Sequence, residues 1–185
     1  VHFDEMLEKL GFKPIHYFFS MTLDDYNQFS PPDVPPGFDI HIKEEIEDYE
    51  SGVQVVNEAF KDSFLWKEVR PRKWKKLQEK FKKNHVVGYG IAYDKKNKVV
   101  GFCQYYLNPS QADLGLINTL SVHPSYHHRG IGSALLASGV EFLRDNGCKT
   151  INLPVDAKNE KALKMYEKFG FYETKNLKEK TYRLI

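Results

Sequence analysis

Between residues 122 and 132 the chain reads V-H-P-S-Y-H-H-R-G-I-G, and Ser133 and a run of apolar residues follow. Gly130 and Gly132 carry no Cβ, so their N–H groups can approach a ligand closely. A helix that begins there adds unpaired amides and the positive end of its dipole. That combination holds anions, phosphates above all. An isolated G-x-G would carry little weight, because glycine also opens turns and lets a helix pack closely on a strand. The flanking residues add to it. Leu114 to Val122 suits a buried strand ended by Pro124, and Ile131, Leu135, Leu136, Val140 and Leu143 recur at helical spacing before a terminator at Gly147. The unit is a strand, an anion turn and an amphipathic helix. It matches neither G-x-x-x-x-G-K-[ST] nor G-x-G-x-x-G.

A second segment with chemical potential lies downstream. Thr150 to Val155 predicts a short strand, and Asn159 to Phe169 a helix stopped by Gly170, with Ala162, Leu163, Tyr166 and Phe169 on adjoining faces. By position Asn159 is an N-cap, worth about 1 kcal/mol. Tyr166 reads either as a core aromatic or as a phenol that can move a proton. Together, the run at 122–132 and N-E-K-A-L-K-M-Y-E-K-F-G-F at 159–171 resemble the acetyl-CoA-binding core of the GCN5-related N-acetyltransferases (GNAT). The order of elements fits that family over roughly residues 37 to 185, the first half of the span in pattern only.

The resemblance implies acetyl-CoA as cosubstrate. It implies that the strand Ile117 to Val122 splays from its neighbour, so that backbone groups around Leu120, Ser121 and Val122 pair with the pantetheine arm. The pyrophosphate would lie over His127, His128, Arg129, Gly130, Ile131, Gly132 and Ser133, with His127 standing where the family has Arg or Gln. By the same resemblance Asn159 hydrogen-bonds the pantetheine, in competition with its capping role. Tyr166 protonates the departing thiolate, and a strand amide near Leu120 meets the oxyanion. The activity implied is direct transfer of an acetyl group to a primary amine of a small molecule or peptide within a ternary complex. The alternative is a non-catalytic acyl-CoA-binding module that regulates an attached domain.

The general base is open. Asp113 is the acid nearest the start of the central strand, Asn118 and Thr119 would order a water, and Glu58 and Asp62 end the first helix of the domain. Phe60, Phe64, Trp66 and Tyr105 line an acceptor groove or fill the core. Cys103 and Cys148 sit in no Cys-His arrangement, so a route through an acyl-cysteine is disfavoured. His123, His127 and His128 cluster within one turn, but no Cys or carboxylate pair completes a four-ligand set, and no metal is expected. The basic residues from Lys67 to Lys83 are interrupted by Glu68 and Glu79 and read as a solvated helix face.

These groups must be held by a fold. With 185 residues, 41% of them hydrophobic and 14% aromatic, the chain suits one domain with a substantial core plus an appendage. A net charge of +2 gives no reason to expect nucleic acid, and no apolar run is long enough to span a bilayer. Two cysteines without a paired spacing fit reduced thiols in a cytoplasmic protein. Ser30 to Gly37, rich in proline, is a stiff linker. Before it, M-L-E-K-L-G-F at 6–12 repeats M-Y-E-K-F-G-F at 165–171 in register, which marks residues 1–29 as the tail of an upstream GNAT-like copy or as an N-terminal extension. Residues 38–185 are the expected N-acetyltransferase domain. Phe38 to Ile42 predicts a strand. Ile46, Tyr49, Val53, Val56 and Phe60 predict a helix, and Pro71 to Lys83 a second one. Val86 to Tyr93 and Val99 to Leu107 form a hairpin around residues 94–98, and Phe171 to Lys175 and Lys180 to Leu184 close the sheet. The expected fold class is α/β (α+β), a mixed central sheet with helices on both faces in the order β-α-α-β-β-β-α-β-α-β-β.

Overall fold

The computed structural model describes residues 2–26, 29–64, 66–107 and 109–184. Seven strands form one sheet: β1 (Phe12–Leu23), β2 (Phe38–Lys43), β3 (Val86–Asp94), β4 (Val99–Leu107), β5 (Leu114–Val122), β6 (Thr150–Asp156) and β7 (Tyr172–Leu184). Five α-helices accompany them: α1 (His2–Lys9), α2 (Tyr49–Phe60), α3 (Pro71–Lys82), α4 (Ile131–Asp145) and α5 (Glu160–Lys168). The fold is the expected α/β one with a mixed sheet, and most of its strand pairs are antiparallel.

Alternation along β4 assigns the two faces. Phe102 points into a cluster with Val53, Val56, Trp74 and Tyr89, beneath α2 and α3. Its neighbour Cys103 points into the larger cluster with Leu135, Val140, Leu143, Leu153 and Phe171, beneath α4 and α5. The helix α4 lies close on the sheet because its interior glycine is matched to one in β3. A Cβ on Gly139 would come within 2.4 Å of the Tyr105 ring, and one on Gly90 within 1.9 Å of the Tyr105 hydroxyl. Tyr105 fills the space between them and donates to, or shares a proton with, the Leu135 carbonyl and Ser138 hydroxyl at 2.9 and 2.8 Å.

Two features differ from expectation. The strand order is β2-β3-β4-β5-β6-β1-β7, so the N-terminal strand lies inside the sheet, antiparallel to both β6 and β7. Residues 12–23 are therefore part of this sheet, and Met21 and Leu23 are fully buried in its core. Second, the two closing strands expected at 171–175 and 180–184 are a single strand, β7, which runs along β1 with register shifts after Pro14 and after Phe19.

The central strand positions the site. β5 pairs with β4 over most of its length but with β6 only at Leu114 to Leu116. Beyond Leu116 the two parallel strands separate. A register shift in the β4–β5 pairing falls between Asn118 and Ser121, and Thr119 there has φ of 56°. A bulge of this kind bends the strand and leaves backbone groups unpaired.

Candidate functional site

At the end of β5 the chain turns into α4 through two left-handed residues, His128 (φ 60°) and Gly130 (φ 82°). The amides of His128 to Ser133 donate to no protein acceptor among the described residues; the first helical bond runs from Ala134 N–H to the Gly130 carbonyl. Six unsatisfied donors at a helix N-terminus form an anion cradle. Gly130 is needed there for its φ. Gly132 has a different explanation, because a Cβ on it would meet nothing closer than Val122 Cγ2 at 3.7 Å and Met165 Sδ at 3.9 Å. Protein packing leaves that space open, and a ligand would fill it.

The side chains of the turn brace it. The His127 ring nitrogen Nε2 lies 2.9 Å from the Val122 carbonyl, and Arg129 reaches the Ser125 carbonyl at 3.3 Å while lying over the Tyr126 ring. Tyr126 in turn donates to Asp94 Oδ2 at 2.9 Å. His127 thus donates to the Val122 carbonyl, one of the backbone groups that the resemblance pairs with the pantetheine arm. His123 Nδ1 accepts from the Ser125 amide at 3.3 Å, so His123 and His127 each hold a separate piece of backbone.

Where β5 and β6 separate, a cavity of about 820 Å³ opens. Asn118, Thr119 and Leu120 form its β5 wall, and Asn159 and Tyr166 project from the α5 side. Asn159 caps α5, its Oδ1 accepting the Ala162 amide at 3.1 Å, a bond that does not use its NH₂ group. Tyr166 is 7% exposed, and burial pushes its phenol well above the ordinary tyrosine value, so it remains a protonated donor at neutral pH. Burial likewise raises the Cys103 thiol well above its usual value and raises that of Cys148, which makes thiolate nucleophiles of neither.

The remaining candidates separate cleanly. Phe60, Asp62, Phe64 and Trp66 line the cavity from the connection between α2 and α3. Tyr105 belongs to the core beneath α4 instead. Asp113 is exposed at the other end of β5 and bonds Lys149 at 2.9 Å, while Glu58 is exposed and faces Lys61 at 3.3 Å; neither reaches the cavity. Two further pieces of wall were not foreseen. His16 and Phe18 come from β1, and Asp156 and Lys158 from the end of β6. The strand-forming run from Phe12 to Leu23 was a signal for β1, but nothing local indicates that it lies beside β6.

The sheet, the splayed β5–β6 pair and the glycine turn define a mixed α/β fold with an anion-binding turn and a cavity on one strand. Residues 53–171 match the Acetyltransferase (GNAT) family, and the chain belongs to it. It is 35% identical over 80 residues to a mycothiol acetyltransferase of Acidimicrobium ferrooxidans, covering 42% of this chain and 26% of that protein. A mycothiol acetyltransferase of Salinispora tropica is 36% identical over 87 residues, covering 45% and 28%. The matched segment thus spans about a quarter of those relatives. Among solved structures, a GCN5-related N-acetyltransferase of Sphaerobacter thermophilus superposes with a TM-score of 0.73 at 20% identity, over 96% of this chain and 53% of that one. A tandem GNAT protein from the clavulanic acid biosynthesis pathway gives a TM-score of 0.77 at 15% identity, over 97% and 56%.

Proposed function

We propose that this chain carries out acetyl-CoA-dependent acetylation of a primary amine on a small molecule or peptide. The observation that carries the reading is that one strand, β5, lines the cavity holding Tyr166 along its stretch free of β6 and then leads into the unbonded amides of His128 to Ser133. The amides and Arg129 hold the pyrophosphate. The unpaired edge of β5 around Leu120 holds the pantetheine arm as an added strand, assisted by the Asn159 NH₂ group. Acetyl-CoA supplies an activated acyl group on sulfur. The protein's part is to fix the amine against it, to exclude water, and to offer the Tyr166 proton to the departing sulfur. Membership in the family and the mycothiol acetyltransferase relatives support this reading.

The test is calorimetry with acetyl-CoA, followed by an amine panel scored by release of free CoA. Gly132→Glu separates binding from folding. A carboxylate in the first turn favours the helix dipole, so stability is retained, while its charge opposes the pyrophosphate. Acetyl-CoA affinity at least about tenfold weaker in the variant is expected. Equal affinity in both proteins would place the nucleotide elsewhere.

A further inference from the structure

Of the carboxylates foreseen from sequence as takers of the proton that an acceptor ammonium must lose, Asp113 and Glu58 do not reach the cavity, and Asp62 on its wall is solvent-exposed. We propose that His16, held by Asp156, is the base that takes that proton. The inference rests on the acetyltransferase reading above and assigns the acceptor side of the same cavity.

His16 lies on β1, is 2% exposed and lines the cavity together with Asp156. Its Nε2 is 3.0 Å from Asp156 Oδ2, within ion-pair distance but off the line of a ring N–H hydrogen bond. Its Nδ1 is buried and has no partner among the described residues. A buried polar atom left unpaired costs about 1–3 kcal/mol, so a purely structural imidazole at this position is poorly explained. Asp156 is itself anchored, with Oδ1 accepting the Lys158 amide at 2.8 Å, which leaves Oδ2 for the ring. A small rotation of the ring would let Oδ2 accept a hydrogen bond from Nε2–H, which fixes the tautomer and leaves Nδ1 with its lone pair, the arrangement of a general base. Phe64 stacks face to face on the imidazole at 3.9 Å and holds the ring plane, so an amine or one bridging water would approach Nδ1 along the ring edge, where its lone pair lies.

The rest of the wall describes the acceptor. Phe18, Phe60, Phe64 and Trp66 surround an apolar body, and Trp66 Nε1, buried and unpartnered, is a donor for a polar atom on it. The fitting class is a primary amine on an arylalkyl or similarly apolar body. The ammonium gives one proton to His16, and the neutral nitrogen forms its bond to the acetyl carbon. The carbon–sulfur bond breaks, the sulfur takes the Tyr166 proton, and the phenolate recovers one from the new amide nitrogen. One proton per turnover leaves His16 for solvent. The charged and titratable groups facing His16 in the cavity are Asp156, Lys158, Asp62 and Tyr166; its cross-strand neighbour on β7, Thr181, is neutral.

The experiment uses the full chain with acetyl-CoA, phenethylamine and tryptamine as acceptors, and glycine as a small polar control, across the pH range. For His16→Gln we expect kcat/KM to fall about a hundredfold, the acid-side limb of the pH profile to disappear, and acetyl-CoA affinity to stay within about twofold. Added imidazole should restore turnover to His16→Ala, which a packing role would not permit. Asp156→Asn, at a carboxylate 24% exposed and so tolerant of change, should lower kcat/KM about tenfold and displace the same limb. Parallel pH profiles in wild type and either variant would overturn the proposal, as would imidazole without effect. A wild-type protein that binds acetyl-CoA yet acetylates only glycine would overturn the acceptor assignment. Failure of the wild type to bind acetyl-CoA would instead remove the reading beneath it.

Discussion

Replacing Tyr166 by Phe isolates one oxygen atom. The ring is 7% exposed, sits in the core cluster under α4 and α5, and lies tilted against Phe171 at 6.1 Å, all of which phenylalanine preserves. No side-chain or backbone group is bonded to the hydroxyl among the described residues, so its removal breaks no network and should change stability by less than about 1 kcal/mol. The chemical cost is larger. General acid catalysis by a positioned side chain contributes about 10²–10⁴. The group protonated here is a thiolate, already a weak base with a conjugate thiol near pKa 8.5, so the contribution belongs at or below the lower end of that range. A tenfold to hundredfold fall in kcat, about 1.4–2.7 kcal/mol, is expected, with acetyl-CoA affinity nearly unchanged. Because burial raises the phenol, its neutral donor form persists as pH rises, and the wild type should show no alkaline loss of kcat below about pH 10 that the variant lacks. The assay is steady-state CoA release against pH for both proteins, with calorimetry of acetyl-CoA. Unchanged kcat would make Tyr166 a packing residue and refute the argument.

A chain starting at Ser30 lacks β1, leaving β6 and β7 without their shared neighbour and removing the buried Met21 and Leu23. Each such side chain is worth about 2–5 kcal/mol against a total stability of about 5–15 kcal/mol, so the shortened chain should show no cooperative melt by circular dichroism. A native-like transition would mean that β1 is dispensable. Asp48 caps α2, with Oδ1 accepting the Ser51 amide at 3.0 Å, and its hydrogen bonds from the Ser51 side chain and backbone hold its carboxyl below the ordinary 3.8. A lowered folded-state value gives stability that is present above pH 3.8 and lost as pH falls through the folded value. Asp48→Ala should therefore cost about 1 kcal/mol at pH 7 in urea melts, and the difference should fade under strong acid.

Much of the site was legible because its signals are local. A glycine with positive φ, a proline ending a strand and an apolar stripe at helical spacing depend on residues a few positions apart, so β5, the turn at His127 to Gly132 and α4 appear where Leu114 to Gly147 predicts them. The placement of Tyr166 and Asn159 on one helix and at its cap followed from the same kind of pattern. Pairing between distant strands has no such signal. Alternation shows that a strand exists and which face is apolar, but not which strand lies beside it. Consecutive strands are usually neighbours, a tendency that gives no hint of β1 entering between β6 and β7.

The amino-acid order by itself determined the anion turn, the helix that follows it and the family they define. The tertiary structure alone decided that β1 enters between β6 and β7, that β5 parts from β6 after Leu116, and that His16 meets Asp156 across the resulting cavity. The physical reason is that backbone conformation is set by near neighbours, whereas strand partners are chosen by which edges remain unpaired and which apolar faces remain to be buried when the whole chain collapses.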